Sequence, residues 1–158
     1  MKDAYGGIVN LVFISLFLLI LSGIFGLIVS YTKAFKMKNN IISVIERYEG
    51  SGCICGSTFS GNGSCSDATS YVCRSKIVEG AKNLAYSPPS NFTCPKGYDK
   101  VDNLYCLKRT ATTAGDGSTR YVYSVITQVD INFPIVSEIF GFNVFRVNGE
   151  TQEVETPQ

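Results

Sequence analysis

IVNLVFISLFLLILSGIFGLIV, from Ile8 to Val29, sits inside an uncharged run that extends from Ala4 to Thr32 between Asp3 and Lys33. A helix rises about 1.5 Å per residue, so roughly 20 apolar residues cross the hydrocarbon core of a bilayer, and this run is long enough. A secretory signal has a shorter apolar region of about 7–15 residues, closed by a small-residue cleavage site. This run is longer and no Ala-x-Ala follows it, so it reads as a retained membrane anchor. The protein's first expected partner is therefore the lipid bilayer.

Working outward, Tyr31 to Glu49 contains no Gly or Pro, and Ile41, Ile42, Ile45 and Tyr48 recur at helical spacing among polar residues. That pattern predicts one continuous helix from about Tyr5 to Glu49, apolar in its first half and amphipathic in its second. Gly50-Ser51-Gly52 supplies the stop. Within this helix Ser22, Gly26, Ser30 and Ala34 fall four residues apart. Small side chains at that spacing let helices approach closely in lipid, where packing rather than water drives association, so these four residues form a candidate helix-packing face.

The six cysteines, Cys53, Cys55, Cys65, Cys73, Cys94 and Cys106, all follow the anchor. An even, clustered set in a small domain reads as a disulfide framework, because closing loops in the unfolded chain supplies stability that a small core lacks. Six cysteines allow 15 pairings, and sequence does not choose among them. Zinc needs Cys-x-x-Cys pairs or histidines; the closest pair is Cys53-Ile54-Cys55 and the chain has no His, so no metal site and no cofactor are expected. Formal charge is +1, with 14 basic and 13 acidic residues, which gives no field to attract nucleic acid. Without His, a nucleophile motif or paired carboxylates, the chain does not read as an enzyme. Asp99 and Asp102, three apart beside Lys100, read as solvated residues of a polar turn.

The two orientation signals conflict. Lys33, Lys36 and Lys38 flank the C-terminal end of the anchor and would place the following domain in the cytoplasm by the positive-inside rule. The cysteines require an oxidising compartment, and they outweigh a bias of a few lysines. The expected topology is a single-pass protein of the cell membrane, N-terminus cytoplasmic and C-terminal domain extracellular.

Three regions follow: residues 1–50, the transmembrane and amphipathic helix; 51–120, a cysteine-rich loop and strand region; and 121–158, C-terminal strands that complete a sheet. Cys53 to Ser66 is a Gly- and Ser-rich loop. Asp67 to Leu84 is read as a short helix, N-capped by Ser66 or Asp67 and broken at Gly80. Leu104 to Leu107 is a strand candidate. Tyr121, Tyr123, Val125, Thr127, Val129, Ile131 and Phe133 alternate with more polar residues, which predicts a strand whose odd positions face a core and whose even positions face water or a neighbouring strand. Ala114-Gly115-Asp116-Gly117 provides the turn of a hairpin before it, and Pro134 ends it. Phe142 to Val147 reads as a strand, Asn148-Gly149 as a tight turn, and Thr151 to Glu155 as a final strand. The fold class is α+β.

This layout, a short polar N-terminus, an apolar helix running into an amphipathic one and a distal antiparallel sheet, resembles pilins and pseudopilins. Val129-Asp130-Ile131-Asn132-Phe133-Pro134-Ile135-Val136, Gly141 and the stretch Phe142 to Val147 resemble the end of TadE-like proteins of tight-adherence pilus systems. The resemblance implies a minor pseudopilin, a structural component of a pilus or secretion assembly whose partners are other pilin-like or pilus-machine subunits. It also makes Gly6 and Gly7 candidate processing sites. Such precursors carry a glutamate at the fifth position of the mature helix; here that position is Leu11 or Val12. The competing expectation is a membrane-tethered extracellular binding module, an adhesin or receptor at the cell surface whose cysteine-rich middle carries the ligand surface.

Overall fold

The first helix follows from its composition: straight-chain and β-branched apolar residues, no Pro, and glycines too sparse to break it. A computed structural model describes residues 2–49, 53, 68–115, 117–130 and 144–155. The helix, α1, is continuous over Lys2–Arg47, 46 residues, or about 69 Å at 1.5 Å per residue. A second helix, α2, spans Ala68–Asn83. Five antiparallel strands follow: β1 Asp99–Val101, β2 Tyr105–Thr113, β3 Thr119–Asp130, β4 Val144–Glu150 and β5 Val154–Glu155. The α+β class is therefore observed. The stop at Gly50-Ser51-Gly52, the caps Ser66 and Asp67, the loop after Cys53 with Cys55 and Cys65, and the stretch Ile131 to Asn143 lie outside the described residues.

The β2–β3 hairpin forms where the turn chemistry predicts it, with Cys106 opposite Ile126 and Thr113 opposite Thr119. Ala114 N–H donates to the Ser118 carbonyl at 2.9 Å, and Gly117 takes φ +81°, a backbone conformation that side chains disfavour. A second hairpin joins β1 to β2 through Asp102 and Asn103, with φ of 50° and 55°. Two successive left-handed residues are the signature of a type I′ turn, and Asp and Asn are among the side chains that tolerate it.

The C-terminal strands depart from expectation. Asn148-Gly149 is not a turn: β4 runs straight through it, pairing Asp130 with Val144 and Ser124 with Glu150. β5 then pairs with the other half of β3, Tyr121 opposite Val154, one residue out of step with β4. The two form one bulged strand along a single edge of β3. At the bulge Thr151 N–H donates to the Tyr123 carbonyl at 2.9 Å, and the Thr151 hydroxyl accepts the Tyr123 N–H at 3.0 Å, replacing a ladder carbonyl. Gly149 is needed for a different reason. β4 crosses α1 there, and a Cβ would stand 2.6 Å from Lys38 Cδ and 2.8 Å from Ile42 Cδ1.

Gly80 likewise does not break α2. It sits where α2 touches α1, and a methyl group there would collide with the Asn40 amide, so glycine permits the close crossing. α2 buries Cys73, Ile77 and Ala81 on one face, and the disulfide Cys53–Cys73 ties it to the chain just past α1. Arg74 on α2 forms an ion pair with Asp102 in the β1–β2 turn, its Nε donating to Oδ2 at 2.7 Å. Asp102 is therefore a partnered residue, not a solvated one.

The helices cover one face of the sheet. Odd residues of β3, Tyr123, Val125, Thr127 and Val129, are buried against them as predicted. The even face corrects the prediction: Ser124, Ile126 and Gln128 are buried too. The Tyr86 to Tyr98 segment closes over them, with Phe92, Cys106 and Ile126 forming a small second core flanked by Cys94 and Tyr98. Four bonds fasten this cover. The Tyr86 hydroxyl donates to the Gln128 carbonyl at 2.8 Å and accepts the Gln128 N–H at 3.1 Å, the Gln128 amide donates to the Thr93 carbonyl, and Cys94 is disulfide-bonded to Cys106.

Two outcomes follow. Replacing Cys94 and Cys106 together by Ala releases the cover, and chemical denaturation of the full chain in detergent should show a loss of about 2–4 kcal/mol. Burial raises the Tyr105 phenol well above its ordinary range, and raises Tyr86 and Tyr123 less. The folded state thus keeps phenolic protons that the unfolded chain releases above about pH 10, so stability is intact below that pH and falls as pH rises beyond it. Thermal melts from pH 7 to 11 should show this fall, and Tyr105→Phe should reduce it.

Candidate functional site

The candidate site is α1 itself, divided by its surroundings into two halves. In the first half every large apolar side chain from Ile8 to Ile20 is 43–68 % exposed, and Ile24, Phe25, Ile28 and Val29 continue the same exposed surface. Soluble monomers rarely leave contiguous apolar surface larger than a few hundred Å². From Ile8 to Ile20 this surface wraps the helix and is free of charge, and the helix is long and apolar enough to cross a membrane.

In the second half Ala34, Met37, Ile41 and Ile45 are fully buried against β3 and α2. Their spacing keeps one side of the helix facing the sheet. Burying side chains of this size contributes about 1.5–3 kcal/mol each for Met37, Ile41 and Ile45. Two hydrogen bonds clamp the ends of this contact. The buried Thr127 hydroxyl donates to the Ala34 carbonyl at 3.1 Å, and the Gln152 N–H donates to Glu46 Oε1 at 2.9 Å. Between the halves, Tyr31 stacks on Phe35 with ring centroids 6.5 Å apart, and Lys38 Nζ lies 4.3 Å from the Phe35 ring centroid. Aromatic rings beside cations favour a membrane–water boundary.

The predicted packing residues are separated by this arrangement. Ala34 belongs to the domain core. Ser30 lines a cleft with Lys33, Tyr86, Ser87 and Asp130. Gly26 faces open space and Ser22 is exposed, its hydroxyl donating to its own helix at Leu19. The physical reason is periodicity: a step of four residues advances about 40° around a helix, so Ser22 and Ala34 differ by about 120°. Gly6 and Gly7 lie in the first turns of α1. Of the predicted disulfide residues, Cys53 pairs with Cys73 and Cys94 with Cys106, while Cys55 and Cys65 lie outside the described residues.

The flanking Lys36 and Lys38 hide Met37 as a core residue in the local sequence. The spacing 37, 41, 45 carries the signal when read from the buried end. Among the described residues no cluster of three or more Cys, Asp or Glu converges on a metal-sized site. The ion pairs of Lys76 with Glu79 and of the half-buried Arg120 with Glu153 and Glu155 lie at the surface and add little stability. Compared with protein-family models, curated proteins and solved structures, the chain matches none.

The division of α1 has a direct mutational consequence. Ile41→Ala should cost about 2–5 kcal/mol of domain stability in detergent, through a cavity under β3. Ile14→Ala, in the exposed half, should leave the same denaturation curve in place. Equal effects of the two substitutions would contradict the division.

Proposed function

We propose that the chain is a pseudopilin-like structural component of a pilus or secretion assembly, inserted once in the cell membrane with its N-terminus cytoplasmic and its disulfide-tied domain outside. The observation that supports this reading best is the sharing of one unbroken helix between an exposed apolar half and the core of the sheet domain. A simple tether has no need to bury its own extension. A subunit that must hold a domain at a fixed angle and height above the bilayer does, because any force on the domain is then transmitted to the membrane helix. For that reason we prefer it to the alternative, an adhesin or receptor whose binding surface is merely anchored.

The resemblance to TadE-like proteins points the same way, and the disulfides support the outward location. The lack of a glutamate at Leu11 or Val12 removes the usual charge pairing with a neighbouring subunit's N-terminus. Association would then rest on close packing along the apolar half, where the exposed Ser22 and Gly26 are among the residues of least bulk. No catalysis, cofactor or nucleic acid enters this role.

Affinity-tagged full-length protein, solubilised gently from its native membranes, should copurify with other pilin-like subunits and with the polytopic platform of an assembly machine. Gly26→Leu should weaken that copurification while leaving the domain's melting temperature unchanged. Recovery as a solitary monomer, or protection of every cysteine from an impermeant thiol reagent in reduced intact cells until lysis, would overturn the proposal.

A further inference from the structure

A small polar cleft opens where α1 passes from its exposed to its buried half. It has a volume of about 190 Å³ and is lined by Ser30 and Lys33 from α1, by Ala85, Tyr86 and Ser87 from the segment after α2, and by Val129 and Asp130 at the end of β3. Its walls are fixed. Ala34, one residue past Lys33, is held by the Thr127 hydroxyl; Ala85 turns the chain with φ 46°; and Tyr86 is bonded to both backbone groups of Gln128. Lys33 and Asp130 stand in this cleft with no ion-pair partner among the described residues.

The depth of the cleft decides what can reach it. From Ile8 to Val29 the helix rises about 33 Å, close to the hydrocarbon thickness of about 30 Å, so Ser30 and Lys33 emerge at the headgroup level. One cation and one anion with two serines beside them make a cleft of no net charge. An anionic headgroup would satisfy Lys33 and repel Asp130. A choline headgroup has no N–H to donate to the carboxylate. A phosphoethanolamine headgroup satisfies both ends: its phosphate accepts from Lys33 and the serine hydroxyls, and its primary ammonium donates to Asp130.

We propose that this cleft binds the headgroup of an ethanolamine phospholipid at the outer membrane surface. The proposal rests on the membrane-spanning reading of α1. Its effect would be to seat the domain on the bilayer at a fixed rotation about α1, since the lipid engages only one side of the helix.

The test is native mass spectrometry of the full-length protein in detergent, titrated with phosphatidylethanolamine, phosphatidylcholine or phosphatidylglycerol, with vesicle flotation run in parallel. Phosphatidylethanolamine should be retained about tenfold more strongly than the other two, as expected for one additional charge-assisted hydrogen bond. Lys33→Ala should abolish the preference, Lys33→Arg should keep it, and Asp130→Asn should shift it toward phosphatidylglycerol. Equal retention of the three lipids with normal flotation overturns the cleft and leaves the membrane reading standing. Competition by inorganic phosphate at the lipid's own concentration also overturns it, assigning the cleft to free phosphate. Failure of the protein to float overturns both.

Discussion

The packing of Ala34, Met37, Ile41 and Ile45 against β3 is the contact on which the remaining structure depends. It buries the amphipathic half of a helix whose other half must stay exposed, and it gives the sheet the apolar layer that a five-stranded sheet of this size needs to close one face. Two closely surrounded glycines serve it, Gly80 where α2 crosses α1 and Gly149 where β4 crosses α1. The buried Thr127 hydroxyl, directed from β3 onto the α1 backbone, fixes the height of the sheet along the helix. Sliding the sheet by one helical turn would strand that hydroxyl in an apolar layer, at the cost of a buried unpaired group.

The second face of the sheet is managed differently. Among the described residues it is covered by an irregular segment from Tyr86 to Tyr98 rather than by a helix, and irregular backbone cannot satisfy itself through a ladder. Its polar groups are met partly by its own turns, Phe92 N–H to the Pro89 carbonyl and Tyr98 N–H to the Pro95 carbonyl, and partly by side chains: Gln128 reaches the Thr93 carbonyl, and Lys100 Nζ donates to the Phe92 carbonyl at 2.9 Å while lying near the Phe92 ring. The Cys94–Cys106 disulfide fixes this cover to β2 covalently. A domain of this size with two thin cores is the kind that gains most from such cross-links.

Local signals in the sequence carried the long helix, the Ala114 to Gly117 turn, the alternation of β3 and the class of the fold, because each depends on residues adjacent in the chain. What escaped depends on residues far apart. Gly80 and Gly149 look like punctuation until another element is seen to press against them. Asp102 looks solvated until Arg74, 28 residues earlier, arrives beside it. Ser124 and Gln128 look like a wet face until the Tyr86 to Tyr98 segment folds over them. The Ser22, Gly26, Ser30 and Ala34 spacing was legible as a periodicity, but its division between exposed helix surface, cleft and core is set by where the sheet begins. The cleft between Lys33 and Asp130 joins residues 97 positions apart and has no sequence signature.

If one rigid helix serves both the bilayer and the domain core, its backbone must be protected without interruption across the junction. Hydrogen–deuterium exchange of the full-length protein in lipid nanodiscs measures this amide by amide. Continuous slow exchange from the apolar half through Ile45, including Ser30 to Lys38, is the expected result. A band of rapid exchange confined to Ser30 to Lys38, with protection on either side, would mean a hinged tether and would contradict the shared helix.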